Sequence, residues 1–113
     1  MMNDNEMKRR VVELLRSEEP EMIVLFGSRA ENRTTPESDI DLYVVTADDH
    51  MPKNWEERSR LHLSYIRKLD PIQKEIPIDL IVHTRKMHQR FKALNSQFFR
   101  DIAEKGEILW QKS

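Results

Sequence analysis

The 113-residue chain carries 19 Lys and Arg against 20 Asp and Glu, a formal net charge of −1, and no cysteine. That excludes disulfide scaffolds and thiol chemistry, and with 38% hydrophobic and 35% charged residues it also excludes a membrane protein, since no apolar run nears the roughly 20 residues of a span. The length suits one domain over residues 1–113, with no room for a separate substrate-recognition domain, and the polar start MMNDNEMKRR lacks a signal-peptide core, so a cytoplasmic protein is expected. The small net charge hides an asymmetry: residues 1–50 hold 6 basic and 12 acidic residues, residues 51–113 hold 13 and 8. A solvated surface with a carboxylate-rich end accounts for this, and no dedicated nucleic-acid-binding motif accompanies the basic half.

Asn3 or Asp4 can cap a first helix with Met7, Val11, Leu14 and Leu15 as its apolar stripe, ended before Pro20. Met22-Ile23-Val24-Leu25-Phe26 has the length and β-branched content of a buried strand and stops at Gly27. Ser28 then opens a turn or helix, a terminus whose backbone N–H groups suit phosphate oxygens, and glycine permits their close approach. A second strand, Asp39 to Val45, places Asp39 and Asp41 on one face and Ile40, Leu42 and Val44 on the other. Asn54 to Leu69 reads as a helix with Trp55, His62, Ile66 and Leu69 near one face, ended by Asp70-Pro71.

Pro77 to Val82 is a third strand whose single charge is Asp79, flanked by residues that say interior. A charge there requires a partner, because burying it alone is costly. Beyond it, Thr84 can cap a helix with Met87, Phe91, Leu94 and Phe98, interrupted at Asn95-Ser96, and Gly106 closes the last helical piece before Ile108-Leu109-Trp110. Helices alternating with a small sheet give an α/β, two-layer domain.

Asp39 and Asp41 repel each other unless a cation lies between them, and hard oxygen donors suit Mg²⁺ completed by substrate phosphates. If the third strand pairs beside the second, Asp79 joins them, in the manner of two-metal sites. Asp-x-Asp alone is a weak signal. Haloacid-dehalogenase-like phosphatases and many glycosyltransferases also use it, but after an apolar strand, whereas here the apolar residues Leu42 to Val45 follow. Glycine-serine, a ten-residue spacer and Asp-x-Asp, with a later Asp in an apolar strand, specify a nucleotidyl-transfer site. Arg29 is equally a candidate phosphate contact and a surface charge. His50, His62, His83 and His88 lack metal-ligand spacing and read as surface or packing residues, Phe98 and Phe99 as core, and Trp55 and Tyr65 as core or partner surface.

GSRAENRTTPESDIDL, followed by PIDLIV and FFRDIAEKGEILW, resembles the minimal nucleotidyltransferase (MNT) family of the DNA polymerase beta-like superfamily, from Met22 to about Trp110. Many relatives carry glycine where this chain has Asn32, a residue that tolerates the left-handed backbone. The resemblance implies a mixed sheet covered by helices, with Gly27 and Ser28 holding a triphosphate, Asp39 and Asp41 binding Mg²⁺, and Asp79 positioning metal and drawing the proton from an attacking hydroxyl. It implies ATP as donor, AMP as the transferred group, and an antitoxin of the MntA type that adenylylates a HEPN-type toxin partner. Transfer to a small molecule such as an aminoglycoside and a non-catalytic nucleotide-binding antitoxin are the alternatives. Oligomeric state, homo-oligomers included, is left open.

Overall fold

The computed structural model describes residues 2–31 and 38–113. Helix α1 (Asp4–Leu15) begins where Asn3 Oδ1 accepts from the Glu6 N–H at 2.8 Å, meeting one of the amides a helix start leaves unpaired. Its Met7, Val11 and Leu15, four residues apart, are fully buried. A 3₁₀ turn over Arg16–Glu18 and the left-handed Glu19 end the helix ahead of Pro20.

Four strands follow the order β3-β2-β1-β4: β1 (Met22–Phe26), β2 (Ile40–Val45), β3 (Ile78–His83) and β4 (Glu107–Gln111). β1 is antiparallel to β2 and β4, whereas β2 and β3 run parallel. This is the mixed sheet expected of an α/β nucleotidyltransferase fold. Ile23, Leu25, Ile40, Leu42 and Val44 point to one face and are fully buried under α1, α2 (Trp55–Ile66) and the segment that follows α2. Each such side chain contributes about 1.5–3 kcal/mol by leaving water. Slipping β2 by one residue would drive Asp41 into that core, so the alternation pins the register and keeps Asp41 on the opposite face.

That opposite face carries a smaller apolar cluster of Val24, Tyr43, Val45 and Ile102, with Phe26, Ile81 and Phe91 packed against it. Helices α4 (Arg85–Leu94) and α5 (Gln97–Lys105) supply Phe91 and Ile102 to it. Thr84 Oγ1 accepts from the Met87 N–H to start α4, Asn95 ends it in the left-handed region at φ 48°, and Ser96 Oγ accepts from the Phe99 N–H to start α5.

The helix read from Asn54 to Leu69 is built differently. α2 gives way to a 3₁₀ turn, Arg67–Leu69, and then to α3 (Asp70–Gln73), because Pro71 falls in the first turn of a new helix, where its missing N–H costs nothing. Tyr65 and Leu69 are the buried residues of this stretch, whereas Trp55 is 78% exposed. Leu94 at 79% and Phe98 at 47% exposure leave the expected apolar stripe because the break at Asn95-Ser96 changes the helix direction. Gly106 ends α5 in extended conformation rather than the left-handed cap. Its reason is close approach: a Cβ there would lie 2.7 Å from Val24 Cγ1. No helix among the described residues is long and apolar enough to cross a membrane.

Candidate active site

The carboxylates gather where β1 ends and β2 and β3 begin. Phe26, the last residue of β1, is opposite Asp41 in the antiparallel register, and Asp41 is opposite Asp79 in the parallel one. The three residues therefore share the sheet face turned away from the main core. Asp39 lies one residue before β2, outside the strand in which it was expected.

Asp79 is exposed, not interior. β3 is an edge strand, and its Ile78, Leu80 and Val82 turn to the buried face while Asp79 alternates to the open one. Continuous burial was the wrong reading of the PIDLIV run, and what stands beside Asp79 is the carboxyl of Asp41. The Asp79 side chain hydrogen-bonds that of Asp41. Burial first, then the charges of Asp79 and Asp39 and that hydrogen bond, raise the Asp41 carboxyl above the usual carboxylate range.

Gly27 is the structural complement of Asp41. Its φ of 75° is in the left-handed region, and a Cβ on it would collide with Asp41 Oδ2 and stand 3.1 Å from Asp41 Cγ. Only a bare Cα lets the turn rest against the carboxylate. Beyond it the chain makes a tight turn in which the Ala30 and Glu31 N–H groups both donate to the Gly27 carbonyl, at 3.1 and 3.2 Å, with Ser28 at its start.

Arg29 is placed apart from the open face. It is 7% exposed, its Nε and Nη2 donate to the Ser38 carbonyl at 3.0 and 2.7 Å, and its Nη1 donates to Asp4 Oδ1 at 2.8 Å. Asn32 lies outside the described residues.

Neighbouring carboxylates repel each other, and a divalent cation between them relieves that repulsion. The donors are all oxygen, the choice for Mg²⁺. Among the described residues no three His, Cys, Asp or Glu side chains already form a metal cage.

Farther along the same face is a cluster that sequence reasoning missed. The Tyr43 hydroxyl lies 2.9 Å from His83 Nδ1 and 2.8 Å from His88 Nδ1, and Phe91 packs on both Tyr43 and His83. Burial pushes the Tyr43 phenol up and His83 down to about 4, the latter helped by His88 and Arg58, and it lowers His88 as well. Both rings are therefore neutral near pH 7. The signal available was period 2: Asp41 to Tyr43, and Asp79 to His83, fall on one face.

Residues 9–113 match the family described as polymerase beta, nucleotidyltransferase. The chain belongs to that family. Among solved structures it is similar to a putative nucleotidyltransferase from Sulfolobus solfataricus, at 21% identity over 94% of this chain and 78% of that one, with a TM-score of 0.58. It is also similar to a mutant of the toxin-antitoxin MntA-HpeT, at 20% identity and TM-score 0.55, and to a toxin-antitoxin with AMP-PNP, at 23% and 0.53. Each of these two alignments covers 94% of this chain and 74% of the other. At such identities the likeness carries the nucleotidyltransferase fold. No curated protein matches the chain.

Proposed function

We propose that this member of the family transfers a nucleoside monophosphate, AMP from ATP, to a hydroxyl on a partner protein of the HEPN toxin type, and so acts as a cytoplasmic antitoxin formed by one minimal nucleotidyltransferase domain. The observation that carries the chemistry is the Asp41–Asp79 contact, with Asp39 within Coulombic reach and the Gly27 turn against it. The acceptor assignment is supported by the toxin-antitoxin structures whose fold this chain shares.

Gly27 and Ser28 offer the turn's backbone N–H groups to the triphosphate, and the turn rests beside Asp41 because Gly27 has no side chain. Asp39, Asp41 and Asp79 would hold one or two Mg²⁺, which when bound supply positive charge against the phosphate oxygens. The acceptor oxygen bonds to the α-phosphorus while the bond from that phosphorus to the bridging oxygen breaks, and pyrophosphate leaves. Asp79 takes the acceptor's proton in this reaction, a role supported by its exposure on the edge strand. Positioning and electrostatics provide most of the acceleration.

The test is incubation of the purified chain with α-labelled ATP, Mg²⁺ and the product of a neighbouring HEPN gene, followed by mass spectrometry. A shift of one AMP on the partner, lost in a variant carrying both Asp39→Asn and Asp41→Asn, is the expected result. Neutralisation of the toxin that persists in that double variant would mean a steric antitoxin, and AMP found only on a small molecule would move the acceptor there.

A further inference from the structure

Arg29 joins three segments, its own turn, the residue before Asp39 and the first turn of α1. Its guanidinium is almost wholly buried, and all three of its nitrogens donate: Nε and Nη2 to the carbonyl of Ser38, Nη1 to Asp4 in the first turn of α1. A phosphate ligand must present its N–H groups to the open face, whereas three of the five here, one on each nitrogen, are given to protein oxygens. What they hold is telling. Ser38 immediately precedes Asp39, and Arg29 itself is two residues past Gly27, whose Cα rests against Asp41.

Asp39 has no strand of its own to fix it, because β2 starts at Ile40. The Ile40 N–H donates to the Pro77 carbonyl at 3.0 Å and fixes the downstream side. Upstream, the forked pair of hydrogen bonds from Arg29 to the Ser38 carbonyl does the same. A planar guanidinium donating from two nitrogens to one oxygen restrains both the distance and the direction of that carbonyl, which a lysine ammonium cannot reproduce. The Asp4 carboxylate neutralises the buried cation and ties it to the main helical layer.

We propose that Arg29 is a positioning residue, whose buried fork on the Ser38 carbonyl sets Asp39 relative to Asp41 and the Gly27 turn. The inference rests on the nucleotidyltransferase reading for its effect on rate, but not for its effect on the backbone at residues 38–41. Residues that orient ligand-bearing groups without touching the reacting atoms change affinity or activity by about 10- to 100-fold when removed.

The experiment uses the full chain with Arg29→Met and Arg29→Lys. In Mg²⁺-free protein, hydrogen exchange of the peptide over residues 38–42 is expected to speed up about tenfold in the Met variant while the β3 peptide stays as in wild type. Calorimetry is expected to show Mg²⁺ binding weakened about 10- to 100-fold, with inorganic tripolyphosphate binding retained. Where wild type transfers nucleotide, kcat falls about 10²-fold with KM for ATP little changed, and Lys restores it only in part. Loss of tripolyphosphate affinity with normal exchange at 38–42 would overturn the proposal in favour of a phosphate contact. A uniform rise in exchange with normal Mg²⁺ affinity would reduce Arg29 to general stability and overturn it too. If Arg29→Met does not fold, Arg29→Lys is judged by the same exchange and Mg²⁺ readouts. A wild type without transferase activity would defeat the proposed function and leave these two measurements to decide.

Discussion

Two ends of one sheet face solve the same electrostatic problem in opposite ways. At one end Asp41 and Asp79, opposite each other on β2 and β3, hold carboxyls together in the open; at the other, Tyr43 and His83 on the same strands bury polar groups beneath Phe91 of α4. The buried end is neutral and satisfied: the Tyr43 hydroxyl has a ring nitrogen on each side, and desolvation keeps both histidines uncharged. The open end is charged and unsettled, because its carboxylates repel and only a proton or a cation relieves them. The difference separates polar residues that hold the fold together from polar residues that await a ligand.

The largest expected effect breaks the open end alone. Asp39→Asn together with Asp41→Asn should cut nucleotidyl transfer about 10³-fold or more, measured as AMP incorporation, with the fold retained by circular dichroism because Asn is isosteric. Next, Gly27→Ala puts a methyl where Asp41 Oδ2 sits and forces an L-residue to φ 75°, so it should cost about 1–3 kcal/mol in urea unfolding as well as activity. Tyr43→Phe breaks the sealed end instead. It leaves ring nitrogens unpaired and should cost about 1–3 kcal/mol in the same assay, with kcat of the folded protein unchanged.

Smaller effects sharpen the contrast through pH. His83 titrates near 4 in the fold against 6.5 as a free side chain, so its stability contribution is complete above 6.5 and is lost as pH falls toward 4. The Tm of wild type should therefore drop more steeply between those values than that of His83→Gln, by about a few degrees. Asp41 has the opposite sign. Its raised value means that folding favours its neutral form, so below the ordinary 3.8 it costs nothing and stability is lost as pH rises through the folded value. In Mg²⁺-free buffer at neutral pH, Asp41→Asn should raise Tm by about a few degrees, and adding Mg²⁺ should stabilise wild type but not this variant. A variant that is stabilised at pH 3 instead would contradict the like-charge account.

Much of the fold was legible because its signals are local. A cap at Asn3, Thr84 or Ser96 depends on one side chain and the amide three residues on, and the Met7, Val11, Leu15 spacing requires only helical period. Strand alternation likewise placed Asp41 opposite Ile40 and Leu42. Pro71 and Leu94 were misread for a common reason: a helix's end and its buried face are set by what packs against it, and nothing local reports that.

The sequence alone determined the chemistry on offer, three carboxylates near a glycine turn, because residue type and spacing are enough to bring Asp41 to one face of a strand. Tertiary structure decided how that chemistry is held. Parallel pairing of β2 and β3 set Asp79 across from Asp41, the approach of Gly27 to Asp41 explained the glycine, and burial turned Arg29 from the open face toward Ser38 and Asp4. It also turned two histidines read as surface or packing residues into partners of one tyrosine, since strand register and helix packing join residues 40 and 45 positions apart. No spacing rule reaches that far along the chain.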